Sequence, residues 1–192
     1  MFENIIKNVH NRHPLIHCIT NYVSINDCAN IVLACGGAPI MAEDINEVSQ
    51  ITSICQGLDI NIGMLNDNKL SSMLKAGATA NELGIPVILD PVGAGSSDYR
   101  IKAVQNLMSN VHFGVIRGNV SEIKAIAAKQ GIHNIAAGVY DTMQKNKSAM
   151  GVEAGIADKI TDDNIKEMAD FINKLSQKTG AVIAVTGGID MV

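Results

Sequence analysis

Apolar residues recur along this chain in two alternating rhythms. Phe2, Ile5, Ile6 and Val9 fall at helical spacing and predict a helix from Phe2 to Asn11, stopped where Pro14 demands an extended predecessor. A short apolar run from Leu15 follows, reading as a strand that enters a polar turn at Thr20 and Asn21. The same alternation repeats. Helices are predicted over Ile25 to Ala34, Glu43 to Gln56, Asn68 to Leu83, Asp98 to Asn110 and Ser121 to Lys129, with a further helix from Thr161-Asp162-Asp163 to about Lys178. Strands are predicted over Ala38 to Met41, Leu58 to Gly63, Val87 to Leu89, Phe113 to Arg117 and Ala181 to Thr186. Ile45, Val48, Ile51, Thr52 and Cys55 mark the inner face of the Glu43 to Gln56 helix. Ile165, Met168, Ala169, Ile172 and Leu175 mark that of the last one. Between Gly131 and Lys159 no period is legible, and one short helix and a loop are expected.

Strands that alternate with helices of ten to fifteen residues imply right-handed crossovers, and so an α/β fold with a mostly parallel central sheet and helices on both faces. The 192 residues suffice for one domain with a sizeable core. The last predicted strand ends six residues before Val192, with no following helix to cover it, so the expectation is a single domain that is incomplete at its C-terminus.

Composition narrows the class. Hydrophobic residues make up 47% and charged residues 18%, with no Trp, so the core must be built from Ile, Val, Leu, Ala and Met. A net charge of -4 offers no basic patch for nucleic acid. No apolar run is long enough to span a bilayer, and charge breaks the N-terminus too early for a secretory signal, which points to a cytoplasmic protein. Cys18, Cys28, Cys35 and Cys55 lie in apolar segments with no CxxC pair, and read as buried reduced thiols rather than disulfides or a zinc site.

The polar residues that can carry chemistry fall just after predicted strands: Thr20-Asn21, Met41-Ala42-Glu43, Asn61 to Gly63, Asp90 to Gly95, Arg117-Gly118-Asn119 and Thr186-Gly187-Gly188. Parallel strands bring such ends to one edge, where ligands of open α/β sheets collect. An acid, a guanidinium, glycine turns and a hydroxyl form a set suited to phosphate and magnesium. Asp90, followed by Pro91 and the turn Gly93-Ala94-Gly95, is central to it. Glu122 has two compatible readings: the third residue of a capping box headed by Asn119, or a carboxylate ordering magnesium-bound water while Arg117 contacts phosphate. No GxxxxGK[ST] occurs, so a P-loop is excluded, and Asp98 stands where a dinucleotide loop would need its third glycine. His17, inside a strand, reads as a satisfied core side chain, and the five histidines share no metal-ligand spacing.

Taken in order, His17-Cys18-Ile19-Thr20-Asn21, Gly36 to Ala42, Asn61-Ile62-Gly63, Ala80-Asn81-Glu82, Pro86 to Gly95, Ile116 to Asn119 with Glu122, and Val185-Thr186-Gly187 resemble the hydroxyethylthiazole kinase family. The likeness runs from about residue 12 to the end and weakens between Lys124 and Met150. It implies a ribokinase-like fold, a homotrimer with active sites between neighbouring subunits, and transfer of phosphate from ATP, with Mg2+, to 4-methyl-5-(2-hydroxyethyl)thiazole for thiamine synthesis. By the same resemblance Asn21 and Met41 bind the thiazole with Val23 and Gly63 nearby, Asp90 and Glu122 serve the magnesium, and Arg117 and Thr186 the nucleotide. The family pattern continues past the last residue here into a glycine-rich turn with a cysteine, so no catalytic base is assigned. Two alternatives stay open: a catalytically silent fragment that binds ligand or associates with itself, and a kinase of another small heterocyclic alcohol.

Overall fold

The computed structural model describes residues 2–132 and 160–192. The short helix and loop expected over Gly131 to Lys159 therefore fall, after Ile132, outside the described residues. The chain forms two compact units, Met1–Leu89 with Asn110–His112, and Asp90–Ser109 with Phe113–Val192.

The first unit carries α1 (Phe2–Arg12), β1 (Leu15–Ile19), α2 (Ile25–Ala34), β2 (Ala38–Ile40), α3 (Val48–Ile54), β3 (Gly57–Asn61), α4 (Asp67–Glu82) and β4 (Val87–Asp90), whose final residue opens the second unit. Its strands lie in the order β2-β1-β3-β4. β1 runs parallel to both β2 and β3, placing His17 opposite Ile40 and Cys18 opposite Asp59. Cys18, Ile19, Leu58, Ile60, Met73 and Leu89 build the core. Gly77 on α4 is needed there: a Cβ on it would lie 2.5 Å from Val111 Cγ2. Nearby, the Asn81 carboxamide accepts from His112 N–H at 2.6 Å and donates to His112 C=O at 2.9 Å, tying Asn110–His112 to this unit.

The second unit carries α5 (Asp98–Asn110, its last residue belonging to the first unit), β5 (Val115–Asn119), α6 (Val120–Lys129), α7 (Ile165–Thr179) and β6 (Val182–Thr186). β5 and β6 pair in parallel, with Asn119 opposite Thr186. Ile116, Ile123, Ile126, Phe171, Leu175 and Ile183 are buried. Gly180 ends α7 in the left-handed conformation at φ 72°. After β6 the Asp190 carboxylate accepts from Gly187 N–H, and Met191 turns back to exchange two backbone hydrogen bonds with Val185.

The expected alternation of elements holds, and the departures have local causes. The helix expected from Glu43 begins only at Val48, because Asp44 takes Asn46 N–H on its side chain and folds residues 44–47 into a turn. Ile45, expected inside, is consequently exposed. In α7, Met168, Ile172 and Leu175 are buried as expected, but Ile165 and Ala169 are only half-buried and Phe171 joins the core. The Val87 strand is buried on one face only: Ile88 is 41% exposed. Among the cysteines, all four are free and Cys18 and Cys55 are buried, whereas Cys28 is half-buried and Cys35, at the α2 terminus, is exposed.

His17 is fully buried. Its Nε2–H donates to Ala42 C=O at 2.8 Å and its Nδ1 lies 2.9 Å from the Thr52 hydroxyl. Burial holds its pKa below the ordinary value of about 6.5, the hydrogen bond to Ala42 and the charge of Glu47 only partly offsetting that. The folded state thus binds fewer protons than the unfolded one just below that pH. Stability from this group is complete above about pH 6.5 and declines as the pH falls toward the folded value. Urea unfolding between pH 7 and 5 is expected to show this decline, and His17→Gln to flatten it.

Candidate functional site

In the second unit the chemistry gathers where β4, β5 and β6 end. Asp90 closes β4, Asn119 closes β5 and Thr186 closes β6. Arg117, two residues before the end of β5, reaches back so that its Nη1 donates to Asp90 Oδ2 at 3.4 Å. The pair is long and Arg117 is half-exposed, so it contributes at most about 0.5 kcal/mol. Its use is orientation, because it holds a guanidinium beside a carboxylate at the strand end.

Glu122 is the fixed point of this region. Its carboxylate is buried and accepts two backbone N–H groups, Gly93 at 2.9 Å and Asn119 at 2.8 Å. Asn119 Oδ1 in turn accepts from Glu122 N–H at 2.9 Å, completing a capping box at the head of α6. Gly118 makes room for this return, since a Cβ there would lie 3.0 Å from Glu122 Oε2. Gly93 adopts φ 65°, a conformation that disfavours side chains, and its carbonyl accepts from Ser96 while Arg100 donates to Val92 C=O. The glycine turn after Asp90 is therefore built by hydrogen bonds. Thr186 is held more loosely, its hydroxyl 3.5 Å from Gly118 C=O.

The donor set suits magnesium. Asp90 and Glu122 supply hard carboxylate oxygens, as Mg2+ prefers, and the two N–H bonds to Glu122 occupy one lone pair on each of its oxygens, leaving a second.

In the first unit, Asn21, Asn61 and Gly63 form one network. Asn61 Oδ1 accepts from Gly63 N–H at 2.8 Å and from the Asn21 amide at 3.1 Å. Asn21 Oδ1 accepts from Ser24 N–H and so helps launch α2. A Cβ at Gly63 would crowd both asparagines. Of the other residues expected to meet the thiazole, Met41 follows β2 and is half-buried, while Val23 is 95% exposed and lies outside this network.

A second cluster beside it was not anticipated. Lys69, in the first turn of α4, is buried; its ammonium donates to Thr20 C=O and to Glu43 at 2.8 Å, and lies 4.6 Å from the Tyr22 ring centre. Tyr22 O–H also donates to Glu43. Although partial burial opposes its charge, the hydrogen bonds from Lys69 and Tyr22 keep the Glu43 carboxyl below its ordinary pKa. That same bond raises the Tyr22 pKa. Lysine in a helical first turn carries no sequence signal for burial; only the fold places it under Thr20.

The ends of the parallel strands thus bring a carboxylate, a guanidinium and a hydroxyl beside a braced glycine turn, a set of groups able to contact phosphate oxygens. The model of the hydroxyethylthiazole kinase family matches residues 6–192, and the chain belongs to that family. It is 52% identical over all 192 residues to a hydroxyethylthiazole kinase of Clostridium acetobutylicum and 45% identical to one of Desulfovibrio desulfuricans, spanning 64% and 62% of their lengths. The solved structure of the hydroxyethylthiazole kinase protein from Pyrococcus horikoshii OT3 matches with a TM-score of 0.78 at 30% identity, over 97% of this chain and 61% of that one. The expected ribokinase-like α/β fold is borne out. Among the described residues no helix is long and apolar enough to cross a membrane.

The brace and the ion pair are expected to separate in a urea titration. Glu122→Ala strands two backbone donors and should cost about 1–3 kcal/mol, whereas Arg117→Ala should stay within about 0.5 kcal/mol of the parent protein.

Proposed function

We propose that the protein is a kinase that transfers the γ-phosphoryl of ATP to the hydroxyl of 4-methyl-5-(2-hydroxyethyl)thiazole, a transferase step of thiamine biosynthesis. Family membership and high identity to named hydroxyethylthiazole kinases support the reading, and one observation carries it: Arg117 paired with Asp90 beside a glycine turn braced by Glu122. In the reaction the alcohol oxygen bonds to the γ-phosphorus, the bond to the leaving ADP oxygen breaks, and the alcohol proton is lost. Positioning and charge stabilisation supply most of the acceleration in such transfers.

In this reading Arg117 binds phosphate oxygens and orients the triphosphate, with the Thr186 hydroxyl as a second contact. Asp90 and Glu122 hold Mg2+, which when bound neutralises charge on the phosphates. Gly93 and its neighbours keep Asp90 at a constant angle. Asn21 and Met41, with Val23 and Gly63, receive the thiazole, the Asn61 bridge fixing the Asn21 amide. The chain is further proposed to act as a homotrimer. Tyr22, Val23, Ile31 and Leu33 are exposed on and before α2, a helix with no buried residue, which supports association through that surface.

The test couples ADP formation to the thiazole alcohol in the presence of Mg2+, alongside a panel of pyrimidine and pyridoxal-type alcohols. Turnover is expected to be fastest with the thiazole and to fall at least about a hundredfold in Arg117→Ala, within the range for lost charge-stabilising donors. Preference for another alcohol would reassign the substrate. Thiazole and nucleotide binding by calorimetry without ADP formation would leave a ligand-binding protein. Light scattering is expected to give the mass of three chains, and Val23→Asp to lower it.

A further inference from the structure

Cys18, Cys28 and Asp59 are far apart along the chain, yet β1, α2 and β3 of the first unit bring them to one point. The parallel register sets Cys18 directly opposite Asp59, so their side chains leave the same face of the sheet. α2 crosses that face and delivers Cys28, whose Sγ lies 4.0 Å from Asp59 Oδ2. One ligating atom from each residue falls within 4.8 Å of the other two. From this juxtaposition we propose that Cys18, Cys28 and Asp59 form a binding site for a borderline-soft divalent cation of the zinc class, in which the three side chains supply three ligands and solvent the fourth.

Zinc–sulfur bonds of about 2.3 Å and zinc–oxygen bonds of about 2.0–2.2 Å place two ligand atoms on one tetrahedral ion roughly 3.5–3.8 Å apart. The Cys28 to Asp59 separation is close to that already. Side-chain rotations that close the remaining separations, at most 4.8 Å, by about an ångström bring the rest into range. Two thiolates with a carboxylate select zinc or cadmium over the hard cation proposed at Asp90 and Glu122, since magnesium rejects sulfur. Cys28 and Asp59 are half-buried and open a path for the ion, while Cys18 is buried and anchors it.

Binding is a proton exchange. Burial foremost, then the neighbouring Cys28 and Asp59, pushes the Cys18 thiol up, and burial with the Asp59 charge pushes Cys28 the same way, so both favour the protonated thiol. Two S–H bonds break, two metal–sulfur bonds form, and two protons enter solvent for each cation taken up. Among the described residues Cys35 and Cys55 belong to no such cluster, so they serve as internal controls.

The experiment titrates the thiol-reduced chain with Zn2+ against a chromophoric chelator, and with Co2+ followed by its visible spectrum. One equivalent is expected, with release of about two protons at pH 7 and a tetrahedral, thiolate-bearing Co2+ spectrum. Cys28→Ser and Asp59→Asn, at positions open enough to fold, should each weaken Zn2+ at least about tenfold, the lower bound even for partners that only support a ligand. Cys35→Ser and Cys55→Ser should leave it unchanged. No stoichiometric binding by the folded parent chain, or equal affinity in Cys28→Ser and Asp59→Asn, overturns the proposal.

Discussion

The bond network of one buried carboxylate holds the second unit's strand ends together. Glu122 accepts the Gly93 and Asn119 N–H groups at once, so the turn after β4 and the head of α6 share a single anchor. Buried N–H groups without acceptors are costly. That cost explains the glycines around the anchor: Gly118 lets the carboxylate approach, and Gly93 takes a left-handed conformation that aims its N–H inward. Asp90, one residue before Pro91, inherits its position from the braced turn. The magnesium role proposed for Glu122 is compatible with its structural role, because each carboxylate oxygen accepts one N–H and retains a second lone pair.

The first unit solves a related problem with amides and an ion pair. β1 ends in Thr20 and Asn21, where the ladder stops and backbone groups need new partners. Lys69 takes the Thr20 carbonyl, Asn61 takes the Gly63 N–H, and Asn21 bridges to both Asn61 and the start of α2. Burying the Lys69 ammonium is tolerable because Glu43 offers an opposite charge and Tyr22 its ring face. Of the thiazole residues proposed for this unit, Asn21 and Gly63 thus belong to a hydrogen-bonded polar layer that sets their orientations, whereas Val23 lies outside it.

His17 and the Cys18 cluster sit side by side on β1 and project to opposite faces, as the period of a strand requires. On one face a neutral imidazole joins Ala42 to Thr52. On the other, two thiols meet a carboxylate. A single strand thus separates a group that must stay uncharged from one suited to receive positive charge, and the sheet between them keeps the two environments apart.

Much of this architecture follows from local chemistry and was legible before any coordinates. The alternating periods named the helices and strands, Pro14 stopped α1, and the spacing of Asn119 and Glu122 foretold the capping box, because each depends on neighbours within a few residues. The strand-end residues Asp90, Arg117 and Thr186 could be singled out for the same reason. What the order of residues left open were the meetings at long range. The turn that delayed α3 hinges on whether the Asp44 side chain binds backbone or solvent. The burial of Lys69, the Asn21–Asn61 bridge and the convergence of Cys18, Cys28 and Asp59 depend on register and on which helix crosses which strand. Those choices are made by the summed packing of the core, a property that no window of the sequence contains.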